Sequence, residues 1–351
     1  MFRFIFILSF FLTLYANDFY AIDYHKELKV LEAFDIEPSF LYDQKMNTLF
    51  LKTSKEYQDD FLDSIERAYI YIPAMKNILA QNNIPEEFIY LAMVESHFSS
   101  LTVSNKEAVG IWQFIPETAK DYNLKIDKYV DERKDIIKST QAASKFLKNL
   151  YKKFKKWYLV IIAYNCGAGR LEKAIKKAGS DDLMRLLDRN GSFLPKESQR
   201  YIRKVVAYTL MGNNDDFLQK REHIHFLNIG NSYSISTIKL PSGESLKRVS
   251  KLLNIPFEDL RSLNRHLKYE FIPPSQKRYS VYIPYAKLTE FKERYFEKAI
   301  QNCYKVHIVK EGDNLKRISE IYDVSYISLV TLNKLKNSKL TEKQQLIIPT
   351  K

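Results

Sequence analysis

Ile84-Pro-Glu-Glu-Phe-Ile-Tyr-Leu-Ala-Met-Val-Glu95-Ser-His-Phe98 is the stretch on which the reading of this chain turns. It reads as one helix. Pro85 suits a first helical position, where its missing N–H costs nothing, and Glu86 and Glu87 suit the positive end of the helix dipole. Phe88, Leu91, Ala92 and Glu95 recur at i, i+3, i+4 and i+7, so they share a face. That face is apolar except for its last member. Met93 lies off it and reads as packing. A carboxyl at the C-terminal end of an apolar helix face is poorly solvated and meets the negative helix end, and both effects raise its pKa. An acid kept protonated near neutral pH is what glycosidic bond cleavage needs. A salt-bridged surface glutamate has the same periodicity, so the surroundings of Glu95 must decide.

The chain of 351 residues is long enough for two or three domains, and 45% hydrophobic with 28% charged residues describes a folded, soluble protein. A net charge of +13 favours an anionic partner such as nucleic acid, anionic lipid or an acidic wall polymer. The basic residues are dispersed, and zinc-finger spacing, P-loop and RNA-binding signatures are all missing, which argues against nucleic acid. Arg3 precedes the apolar run Phe4–Leu14, and Tyr15-Ala16 leads into polar residues. This pattern predicts a secretory signal over 1–16, although Leu14 fits a small-residue cleavage site poorly. The run is short for a membrane span, so membrane association is expected only through an uncleaved signal. Cys166 and Cys303 fall in segments assigned to different domains and are expected as free thiols. The six histidines show no ligand spacing except His223-x-His225, and no metal site or cofactor is expected.

Residues 17–75 read as a helical extension without recognisable chemistry. Residues 76–215 read as an all-α domain. Within it, Ser139 or Thr140 is the expected N-cap of a helix carrying Ala143, Leu147, Leu150 and Phe154 on one face. Trp157–Tyr164 is an apolar segment that Gly167 and Gly169 end, and a further helix through Tyr201, Val205, Val206 and Tyr208 opens at Pro195. After residue 215 the pattern changes to an internal repeat of two β-α-α-β units, 231–285 and 303–350, joined by a connector over 286–302. Gly243 aligns with Gly312, Leu246 with Leu315, Asn264 with Asn333, and Ile283-Pro284 with Ile348-Pro349.

Downstream of Glu95 come Ser104-Asn-Lys-Glu-Ala-Val-Gly110-Ile-Trp-Gln113-Phe-Ile-Pro116 and Ala163-Tyr164-Asn165-Cys166-Gly167. Together with Leu91–Phe98, Asp131-Glu-Arg133, Phe154–Trp157 and Leu194–Glu197, they resemble the lysozyme-like (SLT) domain of lytic murein transglycosylases, the type D membrane-bound family in particular. The two repeats resemble LysM modules, which bind N-acetylglucosamine chains. The resemblance implies a multidomain protein, an all-α lysozyme-like catalytic domain followed by two small α+β modules, the first diverged. The family usually has Gly at 107, Ala at 166 and Glu at 168, where this chain has Glu, Cys and Ala. In the second module Lys343 stands where Gly is expected.

By that resemblance Glu95 is the single catalytic acid and base. It would protonate the oxygen linking N-acetylmuramic acid to N-acetylglucosamine. It would then take the proton of the muramyl 6-hydroxyl as this attacks C1 and closes a 1,6-anhydro ring. Tyr164 would hold Glu95 or the sugar, while Ser104, Gln113 and Asn165 would bind acetamides and backbone. Trp112 is either a sugar platform or core. In the second module Gly312, Asp313, Asn314 and Leu315 would form the sugar-binding loop at a helix start. The expected partner is peptidoglycan glycan strands, and the expected compartment is the periplasm. The alternatives are a hydrolytic muramidase, in which water replaces the 6-hydroxyl, and a non-catalytic wall-binding protein.

Overall fold

The computed structural model describes residues 24–56, 58–188, 192–214, 218, 234–273, 276–296, 304–335 and 337–349. The signal segment, His223, His225 and Cys303 lie outside the described residues. Contacts divide the chain into two compact units: residues 1–124 with 136–232, and residues 125–135 with 233–351.

The first unit is helical. Its N-terminal part comprises α1 (Tyr24–Ala33), α2 (Gln44–Glu56), α3 (Gln58–Ala68) and α4 (Ile72–Gln81). These helices bury one stripe each, with Val30, Leu31, Phe61, Ile65, Met75 and Leu79 inside. The stretch 84–98 is not one helix. Pro85 keeps extended backbone, a 3₁₀ turn follows over Glu86–Phe88, and α5 spans only Ile89–Ser96. Phe88 anchors the start of α5 between Phe34 and Trp157, with ring centroids at 5.6 and 5.0 Å. At the other end His97 and Phe98 both take the left-handed conformation, φ 51° and 57°, and stop the helix directly after Glu95-Ser96.

Next come α6 (Pro116–Asp121), α7 (Ile136–Phe154), α8 (Trp157–Cys166), α9 (Ala168–Ala178), α10 (Leu183–Leu186) and α11 (Lys196–Gly212). The start of α7 differs from expectation. Ser139 and Thr140 are buried in its first turn and donate back to the Ile136 carbonyl, so neither is the N-cap. Gly169 lies inside α9, and Gly167 alone (φ 86°) turns the chain between α8 and α9. α8 is apolar on all sides and buried from Trp157 to Ala163, as the central helix of a small domain must be.

In the second unit the repeat is visible in the backbone. β1 (Ile235–Pro241) pairs antiparallel with β2 (Arg278–Pro284), flanking α12 (Leu246–Leu252) and α13 (Phe257–Leu263). After α14 (Leu288–Arg294), β3 (Tyr304–Ile308) pairs antiparallel with β4 (Gln345–Pro349), flanking α15 (Leu315–Tyr322) and α16 (Tyr326–Leu332). Gly243 and Gly312 share φ 81°. Asn264 and Asn333 make the same brace: each amide donates to its own helix (Leu260 or Leu329 carbonyl) and to the last strand, and accepts from that strand's N–H. This one device, used twice, ties the second helix of each module to its closing strand.

Residues 125–135 group by their contacts with 233–351. Tyr129 and Val130 join the core of the first module. Backbone bonds run from Asp131 N–H to the His266 carbonyl at 2.9 Å and from Lys268 N–H to the Tyr129 carbonyl at 2.8 Å. Tyr279 donates to Glu132 at 2.6 Å and Tyr282 to Asp135 at 2.8 Å.

Candidate active site

The site is built where α5, the loop after it and α11 meet. Glu95 sits half-buried in the last turn of α5, in line with Phe88, Leu91 and Ala92, which are fully buried. Its carboxyl accepts a hydrogen bond from the hydroxyl of Tyr201, on α11. Gly212 at the end of α11 permits the two helices to approach, since a Cβ there would overlap the Tyr90 ring of α5.

Burial pushes the Glu95 pKa up to about 7; the Tyr201 hydrogen bond and the Lys204 charge pull it down, and Glu197 adds to the rise. Burial and the Glu95 charge raise the hydroxyls of Tyr201 and Tyr164 far above their usual range, so both stay neutral donors. Burial, with Arg200 nearby, lowers Lys204, and Glu95 partly offsets this. The arrangement is an acid that is half-protonated near neutral pH, oriented by one neutral donor.

The loop after α5 is held by its own backbone. Ser96 donates to the Ile111 carbonyl at 2.9 Å, and Gly110 N–H to the Thr102 carbonyl at 3.0 Å. Ser104 Oγ accepts from the N–H groups of Lys106 and Ala108, which makes it a turn former. Gln113, with φ 48°, donates its amide to the Thr102 and Gly110 carbonyls. Glu107 has φ 58°, which explains why glycine is suited to that position. Trp112 is fully buried and donates to Thr140 at 2.9 Å, so it is core and not a platform. Leu101 and Val103 are exposed on the loop.

Tyr164 does not hydrogen-bond Glu95. Its hydroxyl donates to the Trp112 carbonyl at 2.6 Å and so fixes the loop. Asn165 accepts from Ser198, on α11, at 2.6 Å. Sequence reasoning missed Tyr201, which it placed among the apolar positions of its helix. No local signal separates it from Val205 or Tyr208; only the meeting of α11 with α5 gives it a partner. Cys166 carries a free thiol, which burial shifts upward.

In the second module, Gly312 has open space around it. Asp313 accepts from His307 Nε2 at 2.7 Å and from Lys310 N–H at 2.8 Å. Asn314 caps α15 through the Arg317 N–H. The Leu315 side chain is buried in the module core, so only its backbone is available to a ligand. Among the described residues no cluster of His, Cys, Asp or Glu is arranged to hold a metal, and no helix is long and apolar enough to cross a membrane.

Comparison with known proteins gives three family matches in order along the chain. Residues 73–185 match the Transglycosylase SLT domain, 234–299 the LysM-like domain described for the lytic transglycosylase MltD, and 307–349 the LysM domain. The chain is 30% identical over 299 residues to the membrane-bound lytic murein transglycosylase D of Escherichia coli strain K12, which is 80% of this chain and 64% of that protein. It therefore spans 64% of the length of this relative. A putative tributyltin chloride resistance protein of an Alteromonas species is 37% identical over 110 residues, 31% of this chain and 53% of its own. Among solved structures, the 70 kDa soluble lytic transglycosylase of Escherichia coli matches with a TM-score of 0.35 and 22% identity, over 42% of this chain and 25% of that one. In succession along the chain, an SLT domain match, a MltD LysM-like match and a LysM match, with 30% identity over 80% of the chain, make this protein similar to the type D lytic murein transglycosylases.

Proposed function

We propose that this protein is an exported peptidoglycan lytic transglycosylase. It cleaves the β-1,4 bond between N-acetylmuramic acid and N-acetylglucosamine and leaves a 1,6-anhydro-muramyl end. The observation that carries the reading is the Glu95 carboxyl, held by the Tyr201 hydroxyl at the end of an apolar helix, where burial raises its pKa to about 7. Protonated, it is placed to donate to a glycosidic oxygen. Ionised, it accepts the proton of the muramyl 6-hydroxyl while the Tyr201 hydroxyl stabilises its charge. One group so serves both proton transfers, with the nucleophile supplied by the substrate itself. Ser104, Gln113, Tyr164 and Asn165 support this by shaping the wall of the site. The second LysM module, through the backbone around Gly312, tethers the enzyme to glycan strands in the periplasm and raises the local substrate concentration.

One observation favours a second reading. Glu197 is a further carboxylate whose charge reaches Glu95. Two carboxyl groups with a water between them would make a hydrolytic muramidase. The deciding experiment incubates the full chain, wild type and Glu95→Gln, with purified sacculi and weighs the soluble products. Anhydro-muropeptides from the wild type alone are expected. Products heavier by one water would replace the proposal with hydrolysis, and binding without release would make this a wall-binding protein.

A further inference from the structure

The N-terminal helices precede the residues that match the SLT family, which begin at 73, and their sequence shows no chemistry. The structure nonetheless puts them in contact with both elements that carry the Glu95–Tyr201 pair. We infer that α2 and α3 are part of the catalytic apparatus: they set the Glu95–Tyr201 geometry by gripping the end of α5 at His97 and the middle of α11 at Arg203. The inference rests on the reading of Glu95 as the acid.

The first grip is on the residue two after Glu95. His97 and Phe98 are consecutive left-handed residues without being glycine, a conformation that L side chains resist and that surrounding contacts must impose. α3 supplies those contacts. Arg67 Nη1 donates to the His97 carbonyl at 2.7 Å. Ser64, fully buried, sits 3.2 Å from His97 Nδ1. The single Ser64 hydroxyl proton goes to the Asp60 carbonyl at 2.6 Å, so His97 Nδ1–H is the donor in this contact. Both ends of the His97 residue, ring and carbonyl, are therefore tied to α3.

The second grip is on α11. Arg203, two residues after Tyr201, is buried and forms a bidentate pair with Asp43: Nε to Oδ1 at 2.8 Å and Nη2 to Oδ2 at 2.7 Å. Asp43 stands at the start of α2 and also accepts from the Met46 N–H at 2.7 Å. A planar fork pair of this kind fixes rotation as well as distance. The remaining Arg203 donor, Nη1, goes to the Gln199 carbonyl of its own helix. Phe61 of α3 packs edge-on against Tyr208 of α11, centroids 5.6 Å apart. Rotation of α11 moves Tyr201, and relaxation of His97 moves Glu95, so both partners of the catalytic hydrogen bond depend on the extension.

Arg67 and Ser64 are positioning residues, and Arg67 is exposed, so Arg67→Ala keeps the fold. Kinetics on soluble glycan strands are measured for wild type, Arg67→Ala, Ser64→Ala and Arg67→Lys, each also in a Tyr201→Phe background, with melting temperatures alongside. A kcat reduced about 10- to 100-fold at nearly unchanged KM is expected for Arg67→Ala. Arg67→Lys, which keeps one donor to the His97 carbonyl, is expected to recover most of it. In the Tyr201→Phe background the same substitution should have little further effect, because the geometry it guards is already lost. Full kcat in folded Arg67→Ala, or an equal loss in both backgrounds, would overturn the inference. If the wild type itself releases no product, the parent reading fails separately, and crystal structures of wild type and Arg67→Ala then decide. A broken Glu95–Tyr201 bond and a relaxed His97 in the variant support the inference; unchanged geometry overturns it.

Discussion

Glu95 is the residue whose environment costs the fold something. Its folded pKa of about 7 lies above the ordinary carboxyl value of 4.5 because burial penalises the charge. Between those values the native state binds a proton more readily than the unfolded chain does. The stability this proton contributes is fully present below about pH 4.5 and is lost as pH rises through about 7. Glu95→Gln removes the dependence. The variant is expected to be more stable than the wild type at pH 8, by on the order of 2–3 kcal/mol, and to melt alike at pH 4. Thermal denaturation at the two pH values checks this; equal melting at pH 8 would mean the carboxyl is solvated. Periodicity put Glu95 on an apolar face, and the motifs that follow it in sequence, by their family resemblance, gave it the expected role of acid. The sequence placed Tyr201 on the right helix with the wrong duty. A tyrosine at an apolar position reads as core until the helix opposite it is known.

At the scale of elements, local pattern was a good guide to type and a poorer one to ends. Both β-α-α-β units keep the expected order of elements, and α15 begins at the Gly312–Leu315 loop, where Asn314 is its cap. The start of α5 and the cap of α7 moved because turn conformation depends on what the preceding loop packs against. Asn264 and Asn333 align in the sequence, but only the structure shows why they recur. Each satisfies a donor and an acceptor of the closing strand that would otherwise be buried without partners. The second module has the smaller core, so it depends more on its brace. Asn333→Ala is expected to destabilise that module by about 1–3 kcal/mol and to give an early unfolding step, with Asn264→Ala showing a smaller separation from the main transition. Calorimetry of the two variants tests the ranking, and a single unshifted transition for Asn333→Ala would refute it.

At the scale of the whole molecule, the second unit is discontinuous in sequence. Tyr129 and Val130 are buried in its core, and the carboxylates of Glu132 and Asp135 accept from Tyr279 and Tyr282. A chain ending at residue 232 would leave Tyr129 and Val130 without that cover and would remove the Tyr279 and Tyr282 donors from Glu132 and Asp135. One ending at residue 296 retains the first module, with the Tyr279 and Tyr282 donors and most of the core cluster around Tyr129 and Val130. The shorter chain is expected to melt well below the longer one and to bind a hydrophobic dye, on the general cost of exposing a core cluster. Equal melting of the two truncations would show that residues 125–135 are stable without the module.

The sequence by itself determined the class of each part of this protein. Helical and alternating periodicities, the paired glycines and asparagines of the repeat, and the single carboxyl on an apolar face are all properties of residues a few positions apart. Tertiary structure decided which surfaces meet. Tyr201 reaches Glu95 across 106 positions, Arg203 reaches Asp43 across 160, and Tyr279 reaches Glu132 across 147. Periodicity states which face of a helix is buried and is silent about the face that covers it. The hydrogen bonds that orient the acid all cross such contacts, so they emerged only once the helices were packed.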